Sequence, residues 1–187
     1  MFIQTETTPN PATLKFLPGR DVLPEGSVNF TDAEAAKASP LATRLFAVGG
    51  VEGVFLGSDF VTITKATDRD WPELKPALLG AIMEHFMAGL PVMNQDSAAA
   101  AGSEDEIYDP ADAGIVSQIK ELIETRVRPA VAQDGGDIVF RGFERGVVLL
   151  HMQGSCAGCP SSTATLRYGI ENMLKHYVPE VSEVRAV

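Results

Sequence analysis

Apolar positions along the chain recur at two periods, and the switches between them mark the elements. Phe2-Ile3-Gln4-Thr5-Glu6-Thr7 and Thr13-Leu14-Lys15-Phe16-Leu17 read as two short strands separated by the turn chemistry of Pro9-Asn10-Pro11. Ser39 as N-cap and Pro40 at the first helical position open a short helix that ends at Gly49-Gly50. Val51 to Leu56 and Phe60 to Lys65, on either side of Gly57-Ser58-Asp59, predict a hairpin with Val61 and Ile63 on one face. A second helix starts near Asp70-Trp71-Pro72, carries Leu74, Leu78, Ala81, Ile82 and Phe86 at helical spacing, and is stopped by Gly89 with Pro91.

The second half repeats this economy with a different order. Ile115, Ile119, Leu122, Ile123, Val127 and Val131 form one apolar stripe from about Gly114, and Pro129 is expected to kink the last turns of that helix. Asp134-Gly135-Gly136-Asp137 makes a tight turn into Ile138 to Phe143, and Glu144-Arg145-Gly146 turns into Val147 to Met152, an antiparallel hairpin. A helix from about Pro160 buries Leu166, Ile170, Met173, Leu174 and Tyr177, and Val181 to Val187 closes the chain as a third strand. The order α-β-β-α-β places helices against one sheet face, so the fold class is α+β, with two small α+β domains.

Between the halves the pattern lapses. From Gln95 to Asp112 the chain is small and acidic with little to bury, and it reads as a flexible linker of about 18 residues with a root-mean-square span of roughly 24 Å. The domains are accordingly 1–93, a flexible acidic linker at 94–112, and 113–187. The formal charge of −10 follows the same division: residues 1–93 carry 7 basic and 11 acidic side chains, 94–112 none and 6, and 113–187 carry 8 and 8. None of the three segments is net positive, so nucleic acid is not expected as a main ligand.

The chemistry concentrates in Gly154-Ser155-Cys156-Ala157-Gly158-Cys159-Pro160, which holds the only two cysteines of the 187 residues and lies where a strand hands over to a helix. Thiolates are nucleophiles and soft metal ligands, so the pair is either a redox couple or half of a tetrathiolate site. A cluster or structural zinc takes four ligands, and one chain offers two sulfurs, so a metal site here must be shared. Pro160 fits the first helical turn, which places Cys156 and Cys159 ahead of a helix N-terminus whose free N–H groups favour thiolate. Gly154 and Gly158 let the backbone wrap a ligand closely.

On these residues the chain resembles a known family. Asp134-Gly135-Gly136-Asp137, the hairpin, the Gly154 to Ser162 loop and its amphipathic helix resemble the C-terminal NifU-type domain of Nfu iron–sulfur scaffold and carrier proteins, over roughly 113–187. Residues 1–93 resemble the family's N-terminal domain through Met1 to Thr5, Thr8-Pro9-Asn10-Pro11, Leu14-Lys15-Phe16, Ser39-Pro40-Leu41 and Val54-Phe55-Leu56-Gly57. The resemblance implies a protein that is not an enzyme. Cys156 and Cys159 of two subunits would hold a labile 4Fe-4S cluster and transfer it to apo-proteins. It implies as partners apo iron–sulfur client enzymes and upstream cluster-assembly proteins, with a homodimer formed on cluster binding. A 2Fe-2S cluster held with external thiols is the other form considered.

Two rival readings of the same loop stay open. A thiol–disulfide oxidoreductase would use the same Cys-x-x-Cys; redox domains of the thioredoxin kind place it in a βαβ pattern, whereas here it is expected to follow a hairpin. A zinc module would recruit His151 or His176, at spacings unlike a paired zinc knuckle. Two close cysteines cannot staple a secreted fold, and no apolar run reaches the roughly 18 residues of a membrane span, so the expected compartment is the cytoplasm, or the mitochondrial matrix for a processed chain. His85 and the methionines 83, 87, 93, 152 and 173 read as packing residues, Asp134 and Asp137 as turn caps, and Arg167 as a surface residue or a partial offset to cluster charge.

Overall fold

The chain packs as two units, Met1–Gly102 and Ser103–Val187, in the computed structural model, which describes residues 2–24, 26–98, 106–157 and 160–187, with 97, 98 and 160–162 described by backbone alone. In the first unit β1 (Gln4–Thr7), β2 (Thr13–Leu17), β3 (Val28–Phe30), β4 (Val51–Leu56) and β5 (Val61–Lys65) form an antiparallel sheet in the order β1-β2-β5-β4-β3. Helices α1 (Pro40–Phe46) and α2 (Trp71–Met87) join Phe16, Leu56 and Ile63 of the sheet in one core through Leu41, Leu45, Leu78 and Ile82, all fully buried. Ser39 caps α1 as its sequence predicts: its Oγ accepts from the Ala42 N–H at 3.1 Å and donates to the Val92 carbonyl at 2.5 Å. The short β3 is unforeseen, because three residues are too few to show alternation. Met87 is 73 % exposed rather than core-filling.

The acidic linker carries more structure than expected. Gln95–Ala98 is a helical turn, α3, and Ile107–Tyr108 is a strand, β6, whose two residues pair in parallel with Gly142 and Phe143. Both large apolar residues of the acidic stretch thereby find the edge of the second sheet; residues 99–105 of the linker lie outside the described residues.

The second unit continues with α4 (Ala113–Leu122), a π-helical turn at Ile123–Val127, α5 (Arg128–Gln133), β7 (Gly136–Glu144), β8 (Val147–Gly154), α6 (Pro160–Tyr177) and β9 (Glu183–Ala186). The order α-β-β-α-β holds, preceded by β6, and the sheet runs β6-β7-β8-β9. Ile119, Ile123, Val127 and Val131 are buried every fourth residue, a spacing that drifts around a regular α-helix; the wider π turn absorbs the drift. Pro129 follows directly, as the second residue of α5. The sequence predicts a kink at Pro129; the departure from regular α geometry is the π turn just before it. A bulge between Phe140 and Gly142 lets both Phe140 and Phe143 face the core despite their odd spacing. Tyr177 departs from its predicted buried position: it is 48 % exposed, with the Arg126 guanidinium 5.0 Å from its ring centre, and Leu174 and Val178 fill the core instead.

Candidate metal centre

Two loops meet at the cysteine motif. One joins α5 to β7 through Asp134 and Gly135; the other leaves β8 after Gly154 and enters α6 at Pro160. Gly136 pairs with Gly154 across the hairpin, the Ser155 N–H donates to the Gly135 carbonyl at 3.2 Å, and Ser155 Oγ donates to the Asp134 carbonyl at 2.5 Å. Thr163 Oγ1, in the first turns of α6, donates to the Cys156 carbonyl at 3.0 Å. Gly154 has φ +63°, the left-handed bend that turns the chain out of β8. Gly136 serves by its missing side chain, because a Cβ there would collide with Cys156 Sγ.

Cys156 is 7 % exposed and counts among the core residues of the second unit. Burial pushes its thiol up from the ordinary 9.0 to about 11; hydrogen bonding with Ser155 opposes this, and the charges of Asp134 and Asp137 add to it. The sequence-based expectation that the helix N-terminus favours thiolate is therefore not met at Cys156. Desolvation and two nearby carboxylates outweigh the dipole. Cys159 and Gly158 lie outside the described residues.

Asp137 is not a turn cap. It is 5 % exposed and takes a two-pronged ion pair from Arg128, Nε to Oδ1 and Nη2 to Oδ2 at 2.8 Å each, while Arg128 Nη1 reaches Glu124 Oε2 at 2.7 Å. Its Oδ1 also accepts from the Ile138 N–H at 2.8 Å. These bonds hold the Arg128 guanidinium firmly in its charged form, the Asp137 hydrogen bond first among the causes. Sequence reasoning missed Arg128, which opens α5 seven residues before the Gly135-Gly136 turn.

The histidines proposed as further ligands are elsewhere. His151 pairs with Val139 between the core-facing Leu150 and Met152, and its Nδ1 lies 2.9 Å from the Val187 carbonyl. His176 is exposed and stacks edge-on with Tyr177. His85 is fully buried in the first unit, and burial followed by the Arg44 charge lowers its pKa, as befits a neutral packing residue. Arg167 lies over the Tyr168 ring at 4.9 Å. Among the described residues no three His, Cys, Asp or Glu side chains are grouped to hold a metal ion.

The connection that follows the hairpin differs from the expectation. β9 runs parallel to β8, with α6 between them, so the cysteine loop does open a βαβ crossover. The parallel strand is invisible in the chain because nothing in Val181 to Val187 marks its direction. What counts against a redox role is instead the state of Cys156, since an attacking thiol is accessible and has a lowered pKa.

Two family models match the chain, one described as "Scaffold protein Nfu/NifU N terminal" over residues 3–89 and one as "NifU-like domain" over residues 119–185. The "NFU1 iron-sulfur cluster scaffold homolog, mitochondrial" of Drosophila sechellia is 52% identical over 188 residues, taking in 100% of this chain and 65% of its own length. The human protein of the same name is 49% identical over 189 residues, covering 100% of this chain and 72% of its own. "NifU-like protein 4, mitochondrial" of Arabidopsis thaliana is 51% identical over 186 residues, covering 98% and 65%. The chain thus spans just under two thirds of the fly and plant relatives.

Proposed function

Because the chain belongs to the Nfu/NifU family of iron–sulfur scaffold proteins, we propose that it is a non-catalytic carrier that takes a labile 4Fe-4S cluster as cargo, between Cys156 and Cys159 of two copies, and hands it to apo-proteins. The observation that carries this reading is the cysteine loop itself: the two cysteines of the whole chain, on the connection from β8 to α6, with no further ligand grouped beside Cys156 among the described residues. Two chains related by a two-fold axis supply four thiolates. A site built from two loops is open to stepwise replacement by a client's thiols, which is what a donor requires. The thiol of Cys156 must lose its proton to bind, so loading releases protons.

The first unit has no cysteine, and we assign it to docking clients or assembly partners, with the acidic connection raising the local concentration of the cluster site to about the millimolar range. The compartment is a reducing one, and the relatives' names favour the mitochondrial matrix over the cytoplasm. Thiol–disulfide exchange is the second reading, kept because the loop opens a βαβ crossover. Anaerobic reconstitution with iron, sulfide and reductant separates the two. The expected result is near two irons and two sulfides per chain in a dimer with the Mössbauer parameters of a 4Fe-4S cluster. A metal-free monomer that cycles between dithiol and disulfide would overturn the carrier reading in favour of the second.

A further inference from the structure

Among the described residues of the second unit, Asp137 is the one buried carboxylate, and it is paired with Arg128. A carboxylate 5 % exposed must be matched by a cation and by hydrogen bonds, and Arg supplies both in a planar fork that Lys cannot reproduce. Its position is specific as well. The π turn at Ile123–Val127 delivers Arg128 to the start of α5, Glu124 on that turn fixes the remaining prong, and Asp137 is the residue next to Gly136, against which Cys156 Sγ packs. Ser155, the other neighbour of Cys156, is bonded to Asp134 and Gly135 of the same turn. A continuous series of direct contacts therefore runs from Glu124 through Arg128 and Asp137 to the wall behind Cys156.

We propose that Arg128 is a positioning residue for the cluster site: by clamping Asp137 and Glu124 it holds the Gly135-Gly136 turn that fixes where the Cys156 sulfur stands. This rests on the carrier reading for its purpose, but the placement of the sulfur can be tested without any cluster. The test uses the full metal-free chain carrying Cys159→Ser, so that Cys156 is its only thiol, and follows alkylation of Cys156 by iodoacetamide in native buffer. Arg128→Lys, Asp137→Asn and, as a stability control distant from the turn, Ile119→Val are compared in that background. Arg128→Lys is expected to raise the alkylation rate about five-fold or more, the factor carried by about 1 kcal/mol. Ile119→Val, at a similar loss of global stability, is expected to stay within about two-fold. Equal acceleration in Arg128→Lys and Ile119→Val would overturn the proposal and leave the pair as a support of the fold only. Where Asp137→Asn fails to fold, the Arg128→Lys comparison decides alone.

A second readout, with both cysteines present, is the rate at which a chelator strips iron from the reconstituted dimer. Faster loss from Arg128→Lys at unchanged Mössbauer parameters for the remaining cluster supports positioning, and an unchanged rate contradicts it. Failure of the unsubstituted chain to take up iron would instead refute the carrier reading, with the alkylation comparison still deciding the role of Arg128.

Discussion

Cys156 is kept protonated by its surroundings, and that fixes the sign of a pH effect. Its folded-state pKa is raised from 9.0 to about 11, so its contribution to stability is complete below the unfolded value and is lost as pH climbs toward the folded one. Denaturant midpoints of the metal-free chain are expected to fall between pH 9.0 and about 11, and to fall less in Cys156→Ala. Gly136 is the second residue on which the site turns. Gly136→Ala forces a methyl group into the place of Cys156 Sγ, which should destabilise the second unit by about 1–3 kcal/mol and sharply reduce the iron retained after reconstitution. Retention of a full cluster in Gly136→Ala would show that the sulfur binds metal from a different position. Cys156→Ala and Cys159→Ala should each abolish retention while leaving the circular dichroism of the metal-free chain unchanged.

Among the elements, those with a strong local signal are where the sequence puts them. α1 begins at its Ser-Pro cap, α2 stops before Gly89, and the β7–β8 hairpin turns at Arg145 and Gly146. Removing the cap is testable: Ser39→Ala loses the bond to Ala42 and leaves the Val92 carbonyl without its hydroxyl donor, at an expected cost of about 1–3 kcal/mol by thermal unfolding. What escaped the sequence depended on partners far along the chain. Ile107 and Tyr108 look like part of an acidic tether until Gly142 and Phe143 are seen beside them, and β9 gains its direction only from β8. Arg128 reads as one more helical cation because its acceptor is nine residues away, across a turn. Tyr177 shows how a stripe misleads at its end: Ile170, Leu174 and Val178 hold the buried face, and Tyr177 falls to one side of it. Leu174→Ala is accordingly expected to cost about 2–5 kcal/mol, and Tyr177→Ala less than about 1 kcal/mol, in denaturant titrations.

At the level of the whole molecule, the two units have separate cores with no residue in common. Leu78→Ala, in the first, is expected to lower one calorimetric transition while a second, belonging to the cysteine-bearing unit, keeps its midpoint. A single transition that shifts as a whole would show the units to be energetically coupled. The same division predicts that deleting residues 1–93 leaves iron uptake intact and slows delivery to client enzymes; an undiminished delivery rate would remove the docking role assigned to the first unit.

The burial of Cys156 bears on how long an empty protein lasts. Attack by peroxide requires thiolate character and access, and Cys156 is poor in both, so the metal-free chain should convert it to sulfenic or sulfinic acid far more slowly than an exposed cysteine. An empty protein that meets a burst of oxidant should thus keep this one sulfur in its thiol form while exposed cysteines elsewhere are consumed.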